Sequence, residues 1–193
     1  IESNIQKINN EIMRDQTLMV IEDMAKFNSN IEEGHILCFL SGIGICYKLK
    51  NAIISSLKHS KETQYRRKIV VLQTELKPNE TTESYIRRLR EEYNLNEGIR
   101  QAKGNKNEFL YIVPLVLSGL VEDAIYELAQ NEFPGDLKKI NKLICSTPMI
   151  ESSFTIDRLS VVVDSGLFKE TEFDRNTCLT TLTEKQTSKE SMD

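Results

Sequence analysis

Residues 140–166, INKLICSTPMIESSFTIDRLSVVVDSG, decide the fold. They contain two short apolar runs, at 143–145 and 159–163, each bounded by polar or turn-forming residues. Such runs are typical of buried parallel strands. The link between them is rich in hydroxyls and would begin at the carboxyl end of the first strand, where open α/β sheets bind ligands. Hydroxyls and a short helix N-terminus would suit phosphate oxygens, although a Ser/Thr-rich turn that only caps a helix explains the same residues.

The rest of the chain alternates helical and strand patterns, which is typical of a doubly wound α/β domain. Apolar residues three and four positions apart predict one or two helices within 4–27 and another at 45–57. The other predicted elements are a strand opening into a turn at 34–42, strands at 69–72 and 109–117, and a helix at 121–129. After residue 166, two arms at 169–174 and 178–183 around Arg175-Asn176 predict a β-hairpin. We therefore expect one α/β domain with a mainly parallel open sheet and helices on both faces.

Two features do not fit a minimal version of this fold. Residues 77–107 are long for a connection, so we interpret them as an insertion with its own helix. Its RRLR run, at 87–90, is positive but lies among glutamates that partly cancel its field. Pro114 interrupts the strand at 109–117 and should lie at its end, because a central strand tolerates proline poorly.

Composition limits the possible functions. The chain has 193 residues and a net charge of −4, which argues against a generally basic nucleic-acid-coating surface but leaves room for a local groove. The basic residues within 58–68 are expected to form a solvated helix end, with binding to a nucleic-acid backbone as the alternative. We expect buried free thiols, no structural zinc site and a His35 that simply starts its strand. The cysteines are Cys38, Cys46, Cys145 and Cys178. No apolar run reaches membrane-spanning length, and the absence of a signal peptide and of an initiator Met suggests a fragment of a protein that is not secreted.

The order of residues within the hydroxyl-rich link carries a family resemblance. S-T-P-x-x-E-S-S-x-T-I, at 146–156, resembles motif V of the DExH/DEAH-box helicases of superfamily 2. Cellular members usually have Asn where this chain has Pro148, and the Pro form is similar to the viral nucleoside triphosphate phosphohydrolase II type. GHILCFLSG, at 34–42, resembles motif IV of the same helicases, and TSKESMD, at 187–193, resembles the approach to their arginine-finger motif.

The resemblance implies a RecA-like fold and a set of binding residues. Contacts to a nucleic-acid backbone would come from the residues after three strands and from the hydroxyl-rich link, namely Ser41, Gly42, Ser118, Thr147 and Ser152. Contacts to a nucleotide would come from Ser153, Thr155 and Asp157, and from Tyr126 as a base-stacking aromatic, although its spacing from Ser118 is about three residues too short and core or surface packing is the alternative role. The chain departs from the family pattern at Pro148 and at Arg158, which stands where Gly is common.

The chain lacks the parts that phosphoryl transfer requires. It contains no G-x-x-x-x-G-K-[ST] phosphate loop and no D-E-x-H or D-E-x-D sequence. We therefore expect no catalytic residue and no metal site in this chain, and no ATP hydrolysis by it alone. The resemblance places ATP and Mg²⁺ mainly on a preceding RecA-like domain, and the arginine fingers just beyond Asp193. Residues 1–193 would then form a single helicase C-terminal domain, with an insertion at about 77–107 and a hairpin at about 167–184.

Three hypotheses remain from the sequence. The first is the second motor domain of an ATP-dependent helicase that binds single-stranded RNA, or alternatively DNA, through its backbone and acts in the cytoplasm or at a viral replication site. The second is a RecA-like module that docks nucleic acid or protein without hydrolysis. The third, an unrelated flavodoxin-like or Rossmann-like domain, is disfavoured because no Gly-rich dinucleotide loop follows the first strand.

Overall fold

The structure is a computed structural model, and it describes residues 2–26, 28–59, 66–73, 75–95, 109–118, 123–148, 155–174 and 179–186. Four α-helices are present in these ranges: α1 (Glu2–Met24), α2 (Ile43–Lys58), α3 (Thr82–Glu92) and α4 (Asp123–Gln130). The strands are β1 (His35–Phe39), β2 (Lys68–Val71), β3 (Phe109–Leu117), β4 (Asn141–Ser146), β5 (Leu159–Asp164), β6 (Leu167–Asp174) and β7 (Leu179–Gln186). A short 3-10 helix, Gly135–Lys139, precedes β4.

Five parallel strands form one open sheet in the order β2-β3-β4-β1-β5, and β6 and β7 form a separate antiparallel hairpin. The predicted parallel sheet and C-terminal hairpin are therefore confirmed. The two strands predicted from 140–166 are also present, but they are not neighbours, because β1 lies between them. All six residues of β4 are buried, whereas β5 is an edge strand whose Val162 is 50% exposed. The prediction that both strands are buried is thus wrong for β5.

Helices cover both faces of the sheet, as the doubly wound pattern requires. Alternate side chains of a strand point to opposite faces. Cys38 and Cys145 pack with α1 and α2, while Leu37 and Ile144 pack with α3 and α4. The first face is anchored by Ile21 of α1 and by a stripe on α2, which comprises Ile45, Leu49, Ile53 and Leu57. This stripe is the helical face that the sequence predicted.

The helix predicted within 77–107 is present, and it belongs to the core. Tyr85 and Leu89 of α3 are 1% and 0% exposed and pack beneath the sheet with α4. Parallel neighbours such as β2 and β3 must be joined by a crossover on one face of the sheet, and α3 lies in that connection. Two of the RRLR arginines are used locally, because Arg88 pairs with Glu80 at 2.6 Å and Arg90 pairs with Asp136 at 3.1 Å.

Pro114 lies inside β3, so the prediction that it ends the strand is wrong. The register shows why the proline is tolerated. Leu72 donates its N–H to Ile112 at 2.8 Å, and the next rung toward β2 would need an N–H on residue 114. Proline has none, so β2 stops pairing there while β3 continues beside β4, where Pro114 is opposite Leu143. The proline therefore ends the neighbouring strand instead of its own.

Buried polar side chains tie the elements together at the amino ends of the strands. Arg67, expected in a solvated helix end, is 8% exposed, pairs with Glu33 at 2.7 Å and donates to the carbonyl of Met24. Lys142 is fully buried in β4, and its Nζ donates to the carbonyls of Ala129 and Asn131 at the C-terminus of α4. Those carbonyls have no partner within a helix, and the ammonium satisfies them. Burial lowers the pKa of Lys142 to about 8.

His35 starts β1, as predicted, but its imidazole is fully buried. Its Nδ1 accepts the Lys142 N–H at 3.1 Å, so the proton of the neutral ring lies on Nε2, which is 3.2 Å from Glu132 but poorly aligned for a hydrogen bond. Burial, followed by the positive charges of Lys142 and Arg158, lowers the pKa of His35 to about 3. Protonating Nδ1 would also place two donors face to face.

Gly34 is required where β1 approaches β5. A Cβ at this position would overlap the Ser160 hydroxyl and the Arg158 carbonyl. The Arg158 carbonyl accepts the His35 N–H at 2.8 Å, so the backbone has no freedom to move aside. Glycine is therefore needed here for close backbone approach.

We expect Gly34→Ala to destabilise the chain by about 1–3 kcal/mol, because overpacking forces strands apart. For a domain of this size, such a loss lowers the Tm by several degrees, at about 2–4 °C per kcal/mol. Gly44→Ala is the matched control, since a Cβ there meets nothing within 4 Å and the residue lies in the first turn of α2. Equal melting temperatures for Gly34→Ala and the wild type would contradict the close approach.

The buried His35 predicts a pH-dependent stability. Its pKa is depressed to about 3 in the folded chain, against an ordinary value of 6.5, so only the unfolded chain takes up the proton as the pH falls toward 3. The contribution is complete above pH 6.5 and decreases toward pH 3; between pH 7 and pH 5 the loss is about 2 kcal/mol. Urea denaturation of wild type and His35→Gln at both pH values measures it. The variant should have a lower free energy of unfolding at pH 7, and this free energy should change less between pH 7 and pH 5 than in the wild type. Equal changes in the two proteins would refute the role given to His35.

Candidate functional site

Three neighbouring strands end at the same edge of the sheet and carry hydroxyl residues there. Leu40, just after β1, donates its N–H to the Ser146 carbonyl at 2.9 Å, and Thr147 donates to the Leu117 carbonyl at 3.4 Å. These bonds extend the pairing of β1, β4 and β3 to their last residues. Ser41, Thr147 and Ser118 each follow at once. We call this set, together with Gly42, the carboxyl-edge site.

Helix α2 begins inside the carboxyl-edge site. Gly42 is its N-cap and has no side chain to cap it, while its carbonyl accepts the N–H groups of Ile45 and Cys46 at 3.0 and 3.1 Å. The earlier N–H groups of the first turn point out of the helix at its positive end, which favours an anion. The backbone of Gly42 is extended, so glycine is not needed there for its conformation.

The hairpin folds back onto this site, a contact that no sequence pattern predicts. The Ser41 hydroxyl is 6% exposed and donates to the carboxylate of Glu184 on β7. Lys169 is the partner of Glu184 across the hairpin, and its Nζ would lie 3.1 Å from a Cβ on Gly42. A carboxylate and an ammonium from the base of the hairpin thus cover Ser41 and Gly42. Glu184, at the predicted end of the hairpin, lies within β7.

Tyr126 supports the carboxyl-edge site by packing and by one hydrogen bond. It is partly buried against the α3–α4 face, and its hydroxyl donates to the Ser118 carbonyl at 2.6 Å. Ser118 is itself 5% exposed. The tyrosine therefore fixes the end of β3, and through it the position of Ser118. Thr147 is half-buried, and the buried Ser146 hydroxyl before it donates to the Thr147 carbonyl at 3.1 Å.

Thr155 and Asp157 lie away from the carboxyl-edge site. Both are exposed and precede β5, whose first residue is opposite His35 at the amino end of β1. The Asp157 N–H points to the carbonyl of Gln130, the last residue of α4, at 3.5 Å. Thr155 and Asp157 therefore do not form one cluster with Tyr126, whose hydroxyl reaches the opposite edge of the sheet. Ser152 and Ser153 lie outside the described residues, as do 187–193 and the hairpin turn at 175–178.

Arg158 has a backbone conformation that favours glycine. Its φ is 53°, and the chain has arginine where the resembled family usually has Gly. The side chain offsets this cost with three contacts. The guanidinium binds Glu132 at 3.1 Å and the Asn141 Oδ1 at 3.0 Å, and donates to the Lys138 carbonyl. Arg158 therefore joins β5 to the polar cluster beneath β4.

The thiols and acidic groups give no sign of a metal centre. Cys38, Cys46 and Cys145 are buried and free, as predicted, while Cys178 lies outside the described ranges. Cys38 and Cys145 are opposite each other in the β1–β4 register, and burial raises the pKa of the Cys46 thiol to about 12. Within the described part of the chain, no three His, Cys, Asp or Glu side chains are grouped so that they could hold a metal ion. No helix described here is long and apolar enough to cross a membrane.

Comparison with known proteins identifies the fold. No protein-family model matches the chain, and no curated protein matches it. Among solved structures, it is similar to the Escherichia coli DExH-box NTPase HrpB, with a TM-score of 0.55 and 17% sequence identity over 95% of this chain. The chain has a RecA-like α/β fold. It spans 15% of the length of that NTPase. A second structure, of the Escherichia coli DEAH/RHA helicase HrpB, matches 83% of this chain at 19% sequence identity, and the match covers 14% of the helicase chain. Its TM-score of 0.48 is too low to support an argument about the fold.

Proposed function

We propose that this chain is the second RecA-like motor domain of an ATP-dependent DExH-type helicase that unwinds RNA. One observation supports the proposal more than the others. Three adjoining parallel strands are each followed at the same edge by a hydroxyl residue, namely Ser41 (with Gly42), Ser118 and Thr147. A row of hydroxyl and main-chain donors at the carboxyl edge suits the successive phosphates of a nucleic-acid strand. The S-T-P-x-x-E-S-S-x-T-I sequence and its Pro148 favour the viral nucleoside triphosphate phosphohydrolase II type.

The chemistry of this edge fits a motor that moves along a strand. Hydroxyl and N–H groups bind phosphate oxygens without reading bases, so every position along the strand can be held equally well. Few cations lie in the carboxyl-edge site, and the net charge of −4 predicts weak binding that salt reduces further. In the proposed cycle Glu184 leaves the Ser41 hydroxyl when a phosphate arrives, since two anions would repel each other there.

The nucleotide would be held between this domain and another. The chain has no phosphate loop, so ATP and Mg²⁺ would bind mainly to a preceding RecA-like domain of the same protein. Thr155 and Asp157 are exposed, and in the proposal they reach the ribose while Ser153 senses the nucleotide. Tyr126 is a weaker candidate for base stacking, because its hydroxyl is bound to Ser118. Closure of the two domains on ATP would then move the strand held at the carboxyl edge. We expect this protein to act in the cytoplasm or at a viral replication site.

The proposal is tested by the ATPase activity of the full-length protein, measured with and without single-stranded RNA beside the 193-residue chain. The expected result is hydrolysis by the full-length protein, stimulation by RNA and no activity of the chain alone. A full-length protein that hydrolyses no ATP under either condition would refute the motor and leave a RecA-like docking module. Stimulation by DNA alone would correct the substrate.

Thr147→Ala in the full-length protein should reduce RNA-stimulated ATPase more than basal ATPase. The substitution removes one hydroxyl contact to a charged phosphate, worth about 1.5–3 kcal/mol, so the RNA concentration for half-maximal stimulation should rise about tenfold or more. Thr171→Ala, which removes an exposed hydroxyl from β6, is the matched control and should behave like the wild type. Equal loss of basal and stimulated activity in Thr147→Ala would argue against a backbone contact.

A further inference from the structure

The sheet has a gap beside the carboxyl-terminal half of β3, because its neighbour β2 ends before β3 does. Residues of a strand alternate the side to which their N–H and C=O groups point. Ile112 accepts from β2, and Leu117 accepts from Thr147 on the β4 side. Pro114 and Val116 therefore present their main-chain groups toward the β2 side, beyond the last rung of the β2–β3 ladder. Among the described residues, no strand pairs with β3 at these two positions.

A cleft of about 380 Å³ fills this gap. Pro114, Leu115 and Val116 of β3 form its floor, and residues of α2, together with Gln73 and Glu75 after β2, line its sides. The apolar side chains of α3 and α4 close its inner end. The volume lies within the range of about 300–1,000 Å³ that is typical of ligand sites.

The cleft contains a nearly buried positive charge. The Lys50 side chain is 10% exposed, although it lies on a helix that also carries exposed residues such as Tyr47 and Lys48. Its Nζ is 3.2 Å from a carboxylate oxygen of Glu75, whose side chain is 81% exposed, and 5.4 Å from the centre of the Tyr47 ring. An ion pair with so exposed a partner contributes little. A carboxylate that came from a ligand inside the cleft would be shielded from water and would bind the ammonium more strongly.

We propose that this cleft binds an extended peptide segment of a partner protein that carries an acidic side chain. The peptide would continue the sheet in the place that β2 vacates. One peptide residue can donate its N–H to the Pro114 carbonyl and accept the Val116 N–H, which completes a rung of a parallel ladder. An adjacent Asp or Glu side chain of the peptide would replace Glu75 as the ion-pair partner of the Lys50 ammonium.

Two features favour a peptide over a small carboxylate. The floor of the cleft offers both a main-chain acceptor and a main-chain donor at strand spacing, and a free carboxylate would use only the donor. The proline also limits the number of hydrogen bonds that a peptide can make here. Residue 114 has no N–H, so only one complete rung is available. The site is therefore suited to a short, weakly held segment. This inference does not depend on the motor function proposed above.

The test uses NMR titration of the isotope-labelled chain with two blocked peptides, acetyl-Thr-Val-Glu-Val-Thr-amide and its Gln counterpart. The Glu peptide should shift the amide signals of Leu115 and Val116 and bind about tenfold more tightly than the Gln peptide, as expected for a hydrogen bond to a charged group. Added NaCl should reduce this preference. No shift in the cleft at saturating peptide, or equal affinities for the two peptides, would overturn the proposal.

Three variants make the result specific. Lys50→Met keeps the apolar stem and should abolish the preference for Glu, whereas Lys48→Met removes the same charge from an exposed position of α2 and should not. Glu75→Gln changes an exposed residue without threatening the fold, removes the competing carboxylate and should tighten binding of the Glu peptide several-fold. A preference that survives Lys50→Met would refute the assigned contact. Equal shifts from acetate would assign a simple carboxylate site, and concentration-dependent shifts without peptide would assign a second copy of the chain; either would overturn the peptide.

Discussion

Strand β4 is the constraint on which the rest of the structure depends. All six of its residues are buried, and it pairs along its whole length with β3 on one side and over its last four residues with β1 on the other. A buried strand must have its main-chain groups paired on both edges, because an unpaired group buried away from water costs about as much as a lost hydrogen bond. This requirement fixes the register of the three central strands. It thereby brings Ser41, Thr147 and Ser118 to one edge, although they are far apart in sequence.

The amino and carboxyl ends of the parallel strands differ in the contacts that hold them. At the amino edge, Lys142 caps α4, His35 is held as a neutral imidazole, and Arg158 stabilises an unfavourable backbone conformation through its guanidinium. These groups are buried in contact with one another and hold the layers together. At the carboxyl edge, hydroxyls and the start of α2 face a hairpin that contacts them through single side chains. An edge held by a few side-chain contacts can exchange them for a ligand, and an edge held by several buried polar contacts cannot do so at low cost.

Much of the fold could be predicted because its signals are local. The apolar runs at 143–145 and 159–163, the face of α2 and the two arms of the hairpin each lie within a short window. The errors concern relations between distant segments. Sequence could not show that β5 lies at the edge of the sheet, that Pro114 ends its neighbour rather than its own strand, or that Arg67 is buried against α1. All four positions of the carboxyl-edge site came from the family resemblance, and Thr147 was in addition expected at this edge because it follows the strand that the apolar run predicted. Glu184 was missed because no local pattern links a hairpin residue to Ser41.

The motor function proposed for this chain requires that nucleic acid binds at the carboxyl edge. Amide chemical-shift mapping of the labelled chain with single-stranded oligouridylate of about eight nucleotides, a typical site size, tests this at low salt, where backbone contacts are strongest. We predict shifts at Ser41, Gly42, Ser118 and Thr147, together with the Glu184 strand as the carboxylate is displaced. Shifts confined to the amino edge, around His35 and Arg158, or no shifts at saturating oligonucleotide, would contradict the account.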